Sequence, residues 1–116
     1  MRINRFEDVI AWQKGQDLAV FIYETFGQIK DFSFKDQICR ASVSVSNNVA
    51  EGFDRGGDKE FVRFLTISRA SNSEVKSMIY LAQKLKYLDS ERTNYALSLC
   101  DETGKVINGL ITYLSK

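Results

Sequence analysis

The sequence predicts an all-α protein, an antiparallel up-down-up-down four-helix bundle folded as a single domain over residues 1–116. Three observations carry this reading. Apolar residues recur at alternating spacings of three and four in four separate stretches, the period of one helical face. The breaks between the stretches are short, and short connections make antiparallel neighbours. Alternating strand patterns are missing, and 116 residues with 44% hydrophobic side chains bury one core without staples.

The first stretch runs Trp12, Gly15, Ala19, Ile22, Phe26 and Ile29, and the second Phe34, Ile38, Ala41, Val45, Asn48 and Gly52. The third runs Phe61, Phe64, Ser68, Ser71, Val75, Met78, Ala82 and Leu85, and the fourth Ala96, Leu99, Thr103, Val106 and Leu110. Helices are expected to begin near Asp8, Ser33, Asp58 and Ser90. Each has a short side-chain oxygen that can accept from an orphan backbone N–H. Ser33 followed by Asp36 approximates a capping box. The expected breaks are Asp31 to Ser33, Asp54 to Asp58 with its Gly56-Gly57 pair, and Lys86 to Ser90.

Two helices are apolar beyond the needs of a bundle core. At about 100° per residue, Ile10 and Phe21 fall nearly opposite the Trp12/Ala19 stripe. Leu97, Cys100, Ile107, Ile111 and Leu114 widen the apolar arc of helix 4. Isolated surface apolar residues are ordinary, whereas excess on two helices points to a subunit interface, with Ile10 and Phe21 as its candidates. Cys39 is expected on a helix surface or edge, and Cys100 as a small core hydrophobe.

Composition then removes whole classes of function. There is no histidine, which removes histidine acid–base chemistry, Ser-His and Cys-His pairs and most transition-metal sites. Two cysteines far apart make neither a disulfide framework nor a four-ligand zinc site. A net charge of +1 lacks the basic excess of a dedicated nucleic-acid domain. No apolar run approaches the roughly 20 residues of a membrane helix, and Met1-Arg-Ile-Asn-Arg-Phe has no signal-peptide core. The expectation is a cytoplasmic protein with no membrane association, no cofactor, no metal, no small-molecule substrate and no enzymatic activity.

Glu51 and Glu74 raise the question of a di-metal carboxylate site. Such a site also needs Glu-x-x-His on two helices, and the chain has no histidine. A glycosidase-like carboxylate pair needs a cleft that a short-looped bundle does not obviously offer. A structural role fits better. Gln37, Ser44, Asn48 and Glu51 follow one edge of helix 2, and Ser71 and Glu74 a corresponding edge of helix 3. Buried polar groups must be paired, so these edges are expected to bond one another and set the register, with Asn48 and Glu51 largely buried. Gly52 and Gly56-Gly57 lack the Gly-Lys-Ser/Thr of a phosphate loop. They read as a close helix approach and a flexible turn.

One helical face suggests nucleic acid. Arg69, Ser73, Lys76, Tyr80 and Lys84 align on helix 3 away from its apolar stripe. Arg and Lys can neutralise phosphates and Tyr offers a stacking surface. Residues 59–116 hold nine Lys/Arg against six Asp/Glu, a local +3, while residues 1–58 hold seven against nine. The same stripe also reads as an ordinary solvated face.

The segment Gln37-Ile-Cys-Arg-Ala-Ser-Val-Ser-Val-Ser-Asn-Asn-Val-Ala-Glu-Gly52 resembles the Q-I-R-R-A-x-x-S-I-P-x-N-I-A-E-G signature of the four helix bundle proteins encoded in intervening sequences of bacterial 23S ribosomal RNA genes. Phe6-Glu-Asp-Val-Ile-Ala-Trp-Gln13 resembles that family's opening. Phe61 to Glu74 is similar to its F-x-x-F-L-x-I-A-x-G-S-x-x-E, and Tyr87-Leu88 to its G-Y-L turn. Cys39 stands where the family pattern has a second arginine, Ser46 where it has proline and Ala70 where it has glycine. The resemblance implies a homopentameric ring of four-helix bundles. It also implies kinship with the accessory protein of diversity-generating retroelements, which associates with a reverse transcriptase and nucleic acid. The expected role is a non-enzymatic homo-oligomer associated with RNA or a ribonucleoprotein, with Arg69, Lys76, Tyr80 and Lys84 as the contact face. The alternative is a neutral scaffold that binds a protein partner without touching nucleic acid.

Overall fold

The computed structural model of the chain describes residues 3–116. A single 3₁₀ turn, Phe6–Asp8, leads into α1 (Ile10–Phe26), α2 (Phe32–Asp54), α3 (Asp58–Lys84) and α4 (Ser90–Leu114). Each helix packs on its chain neighbours and α4 closes against α1. The pairings run in opposite directions along every seam, and on α1/α2 Gln16 meets Ser46 while Phe26 meets Phe34. On α2/α3, Val45 meets Ser68 while Gln37 meets Glu74. On α3/α4, Arg69 meets Asn108 and Lys76 meets Asp101. On α1/α4, Lys14 meets Glu102 and Phe21 meets Tyr95. The bundle is antiparallel throughout.

The helix starts correct the expected caps. At α2 the cap is Asp31 rather than Ser33, its Oδ1 accepting from the Phe34 N–H at 3.1 Å. At α4 it is Asp89 rather than Ser90, accepting from the Arg92 N–H at 2.8 Å. In both places a carboxylate competes with a hydroxyl, and its charge also suits the positive helix end. Asp36 forms no capping box; it pairs with Arg40 at 3.1 Å. The residues around Asp8 form the 3₁₀ turn, so α1 starts at Ile10 with Val9 at its cap position. Helices α3 and α4 both begin at the expected residues, Asp58 and Ser90, but each has its cap one place earlier, at an extended Gly57 and at Asp89.

The core faces are rotated from the expected stripes on two helices. On α1 the buried residues are Ala11, Gly15, Leu18, Ile22 and Phe26, while Trp12 and Ala19 lie at the edge and Ile29, half-buried, falls beyond the end of the helix. Trp12 packs edge-on against Phe6 at 5.4 Å. On α4 the buried residues are Thr93, Ala96, Cys100, Thr103 and Ile107, with Leu99, Val106 and Leu110 half-buried. A helix apolar around most of its circumference gives periodicity little to choose between. Cys39 is buried on α2 rather than lying at its surface, and Leu85 is exposed rather than buried.

Helix α2 lies between α1 and α3, and small residues let both come close. A Cβ on Gly15 of α1 would stand 3.0 Å from the Ser46 Cβ, and one on Gly52 would stand 2.5 Å from the Phe64 Cβ. At the opposite end, a latch joins two turns. The Tyr87 hydroxyl donates to Asp31 Oδ2 at 2.7 Å, above a packed run of Phe26, Phe34 and Tyr87 rings. Tyr87 is presented by a Schellman end to α3. Its N–H donates to the Ala82 carbonyl, and the Lys86 N–H to that of Gln83. Lys86 takes the left-handed position at φ 65°, where most chains place glycine.

Four outcomes follow from this packing. Gly52→Ala lowers stability by about 1–3 kcal/mol through overpacking, whereas Gly109→Ala, with open space at its Cβ, raises it by roughly 0.5–1 kcal/mol; urea midpoints at constant m value check both. Lys86→Gly is stabilising by about 1 kcal/mol, because it relieves the left-handed strain. The Tyr87 hydroxyl, then the Phe34 N–H, hold the Asp31 carboxyl below its ordinary pKa. Its contribution is therefore full above the ordinary carboxylate range and disappears as pH falls through the lowered folded value. The same bond raises the Tyr87 phenol, so that contribution persists up to the ordinary tyrosine range and is lost as pH rises beyond it. Thermal melts between pH 7 and pH 2.5 should show a shallower acid limb for Asp31→Asn than for the wild type.

Candidate nucleic-acid interface

Helix α3 divides its residues between two jobs. Leu65, Ser68, Asn72, Val75, Ile79 and Ala82 face inward. Arg69, Ser73, Tyr80 and Lys84 stand exposed on another face, with Lys76 half-buried among them. Tyr80 is 48% exposed. The four proposed contact residues therefore share one face, spread over about 22 Å at 1.5 Å per residue.

Two of its cations are tied to α4. The Arg69 guanidinium donates to Asn108 Oδ1 at 3.0 Å, and Lys76 pairs with Asp101 at 2.7 Å. That hydrogen bond, reinforced by the Asp101 charge, holds the Lys76 ammonium above the ordinary lysine range. Between these two bridges lies a cleft of about 450 Å³, floored by Asn72 and Gly104 and also lined by Lys105 and Cys100. Burial pushes the Cys100 thiol up to about 12, so it carries no thiolate at neutral pH. Sequence reasoning missed Asn72 and the α4 half of this site. The signal is a period: Leu65, Ser68, Asn72, Val75, Ile79 and Ala82 alternate by three and four, one notch beside the stripe from Phe61 to Leu85.

The proposed polar seam between α2 and α3 forms in part. The Ser44 and Ser71 hydroxyls bond each other at 2.9 Å, and Gln37 Nε2 donates to Glu74 at 3.4 Å. Asn48 is half-buried and turns back along its own helix, donating to the Ser44 carbonyl at 2.8 Å and hydroxyl at 2.9 Å. It thus reaches α3 only through Ser44. Glu51 is exposed rather than buried, and acts on Arg63 only through its charge. Glu51 lies on the outer flank of α2, about 100° round the helix from Gly52, which takes the contact with Phe64. The buried cross-helix bond lies elsewhere, from the Ser68 hydroxyl to the Val45 carbonyl at 2.7 Å.

Of the candidate assembly residues, Ile10 is 51% exposed. Phe21 is half-buried and packs edge-on against Tyr95 of its own chain at 5.2 Å. No cluster of three or more metal-ligating side chains occurs among the described residues. None of their helices is long and apolar enough to cross a membrane.

Together these features define an all-α four-helix bundle with a basic, tyrosine-bearing outer face on α3. The chain belongs to the 23S rRNA-intervening sequence protein family, which matches it over residues 7–109. It is also similar in fold to the crystal structure of a protein of unknown function from the S23 ribosomal protein family of Bacteroides thetaiotaomicron VPI-5482, with a TM-score of 0.81 at 22% identity. That similarity covers 87% of this chain and 97% of the other. No curated protein matches the chain.

The seam makes a checkable outcome. In a double-mutant cycle of Ser44→Ala and Ser71→Ala, the coupling should be about 0.5–1.5 kcal/mol, the net worth of one hydrogen bond.

Proposed function

We propose that this protein is a non-enzymatic, self-associating bundle of the cytoplasm that engages RNA through the α3 face. The observation that supports the reading is the placement of Arg69, Lys76, Tyr80 and Lys84 on that one face, outside the core. Phosphate neutralisation by the cations provides affinity, and base stacking on Tyr80 adds to it. Self-association repeats the stripe, so several weak contacts on one strand act together. A ring of five is the assembly that the family resemblance implies, with Ile10 among the side chains that meet a neighbour.

A specific observation favours the protein-scaffold alternative. Phe32 is 68% exposed beside Tyr23, and the two line a mainly apolar cleft with Cys39 at the α1–α2 corner. An apolar side chain of a protein partner fits there.

Fluorescence anisotropy with labelled single-stranded RNA across a salt series separates the two readings. Binding should weaken steeply with salt. Arg69→Glu with Lys76→Glu should abolish it at unchanged helicity, and Tyr80→Ala should cost about 1–3 kcal/mol per stacked base. Asp101→Asn should strengthen it, because the change frees Lys76 and removes a repelling carboxylate. An absence of salt-sensitive binding at micromolar protein returns the stripe to solvent and leaves the scaffold. Light scattering tests the assembly: a clean monomer overturns it, and Ile10→Lys should weaken it without unfolding the protomer.

A further inference from the structure

The α3–α4 cleft contains an atom that the bundle leaves unsatisfied. Asn72 is only 6% exposed. Its Nδ2 donates to the Cys100 carbonyl at 2.9 Å. That bond fixes which end of the amide is nitrogen, because a carbonyl can only accept. Oδ1 is then sealed from solvent with no hydrogen-bond partner, a situation that folded proteins keep rare. The cross-helix bond to Cys100 uses the nitrogen end of the amide alone and leaves its oxygen end without a structural use. A leucine would continue the inward stripe of Leu65, Val75 and Ile79 and leave no orphan. Opposite, a Cβ at Gly104 would press to 3.2 Å from Nδ2, so glycine keeps the floor of the cleft open.

Charged side chains line the cleft around Asn72. Arg69 and Lys76 stand one turn to either side of it on α3, and Lys105 follows Gly104 on α4, against the single carboxylate of Asp101. The Arg69 partner is a neutral amide, and Lys105 makes no ion pair among the described residues. A group suited to this cleft carries an anion for the cations and a hydrogen-bond donor for Oδ1.

We propose that the cleft is a nucleotide pocket, in which a phosphate of RNA sits against Arg69 and Lys105 and the exocyclic amino group of adenine, cytosine or guanine donates to Asn72 Oδ1. The inference rests on the RNA reading and adds a base preference that a stacking face alone does not have. The volume of about 450 Å³ lies within the usual range of about 300–1,000 Å³ for small-molecule pockets. Uracil offers only a ring N–H recessed between two carbonyl oxygens, and those oxygens repel the Asn72 acceptor. Entry requires the side chains at the mouth to rotate. The Lys76–Asp101 pair is exposed and so weakly held, and an arriving phosphate competes for its cation with charge-assisted bonds of its own.

The test is a nitrogen-15 NMR titration of the full chain with AMP, CMP, UMP and inorganic phosphate, beside the RNA anisotropy series. AMP and CMP should shift the Asn72 side-chain amide and the Gly104 backbone amide saturably, about tenfold more tightly than UMP, the difference one hydrogen bond makes. Asn72→Leu should bring AMP and CMP down to the UMP level and leave phosphate binding unchanged. Should that variant not fold, Lys105→Gln is the second arm: it should weaken AMP and phosphate alike while AMP retains its advantage over UMP. Salt-sensitive RNA binding without nucleotide shifts at Asn72 and Gly104, or with equal shifts from UMP, overturns the pocket and leaves the RNA face standing. Loss of both kinds of binding overturns both.

Discussion

How near its neighbours can come to α2 governs the rest of the bundle. This helix buries Ala41, Ser42, Ser46 and Gly52 among larger side chains, so its backbone is thinly upholstered on two sides. Gly15 seats α1 on Ser46, and Gly52 seats α3 on Phe64. At such separations the hydroxyls of Ser44, Ser46 and Ser68 reach their partners directly. A longer distance would leave them buried without partners, at the cost of desolvating each one. Close packing and polar pairing are therefore one constraint.

That constraint reaches the outer face of α3. Because the inner side of α3 is pinned to α2 through Ser68 and Ser71, the rotation of the helix about its axis is settled. The direction in which Arg69, Tyr80 and Lys84 point is settled with it. The α4 contacts reach the same face from the other side, where Arg69 bonds Asn108 and Lys76 pairs with Asp101 at the surface. The net effect is a positive surface with fixed spacing on a chain whose overall charge is close to zero.

Much of this was legible in the sequence, for reasons that particular residues make plain. Four stretches and their breaks could be read because α2 and α3 are sharply two-sided and polar clusters, with the Gly56-Gly57 pair, lie between the helices. Face assignment failed on α1 and α4, where Leu18 and Ile107 are fully buried beside apolar residues that are not. Cap positions shifted by one or two residues because Asp31 and Asp89 outcompete the serines that follow them. The basic stripe was visible as a period on α3. Its counterpart on α4 was not, because Asp101, Gly104 and Lys105 become neighbours of Asn72 only through the fold. Glu51 shared its helix edge with Ser44, yet at its level Gly52 takes the contact with Phe64 and Glu51 is left on the exposed flank, which no spacing encodes.

The seam between α1 and α4 is the sparsest of the four, joined at its rim by the Lys14–Glu102 pair and by Phe21 against Tyr95. The other three seams each unite helices adjacent in the chain, so they form hairpins with little loop entropy to overcome. Only this one asks the two ends of the molecule to find each other. Kinetically the protein is a folded strip of hairpins fastened along a single edge. The rapid local contacts of that strip favour fast folding, while sub-global opening is cheapest at the fastening. Amide exchange on the facing sides of α1 and α4 would then run ahead of exchange in α2 and α3, which remain enclosed whether the edge is open or shut.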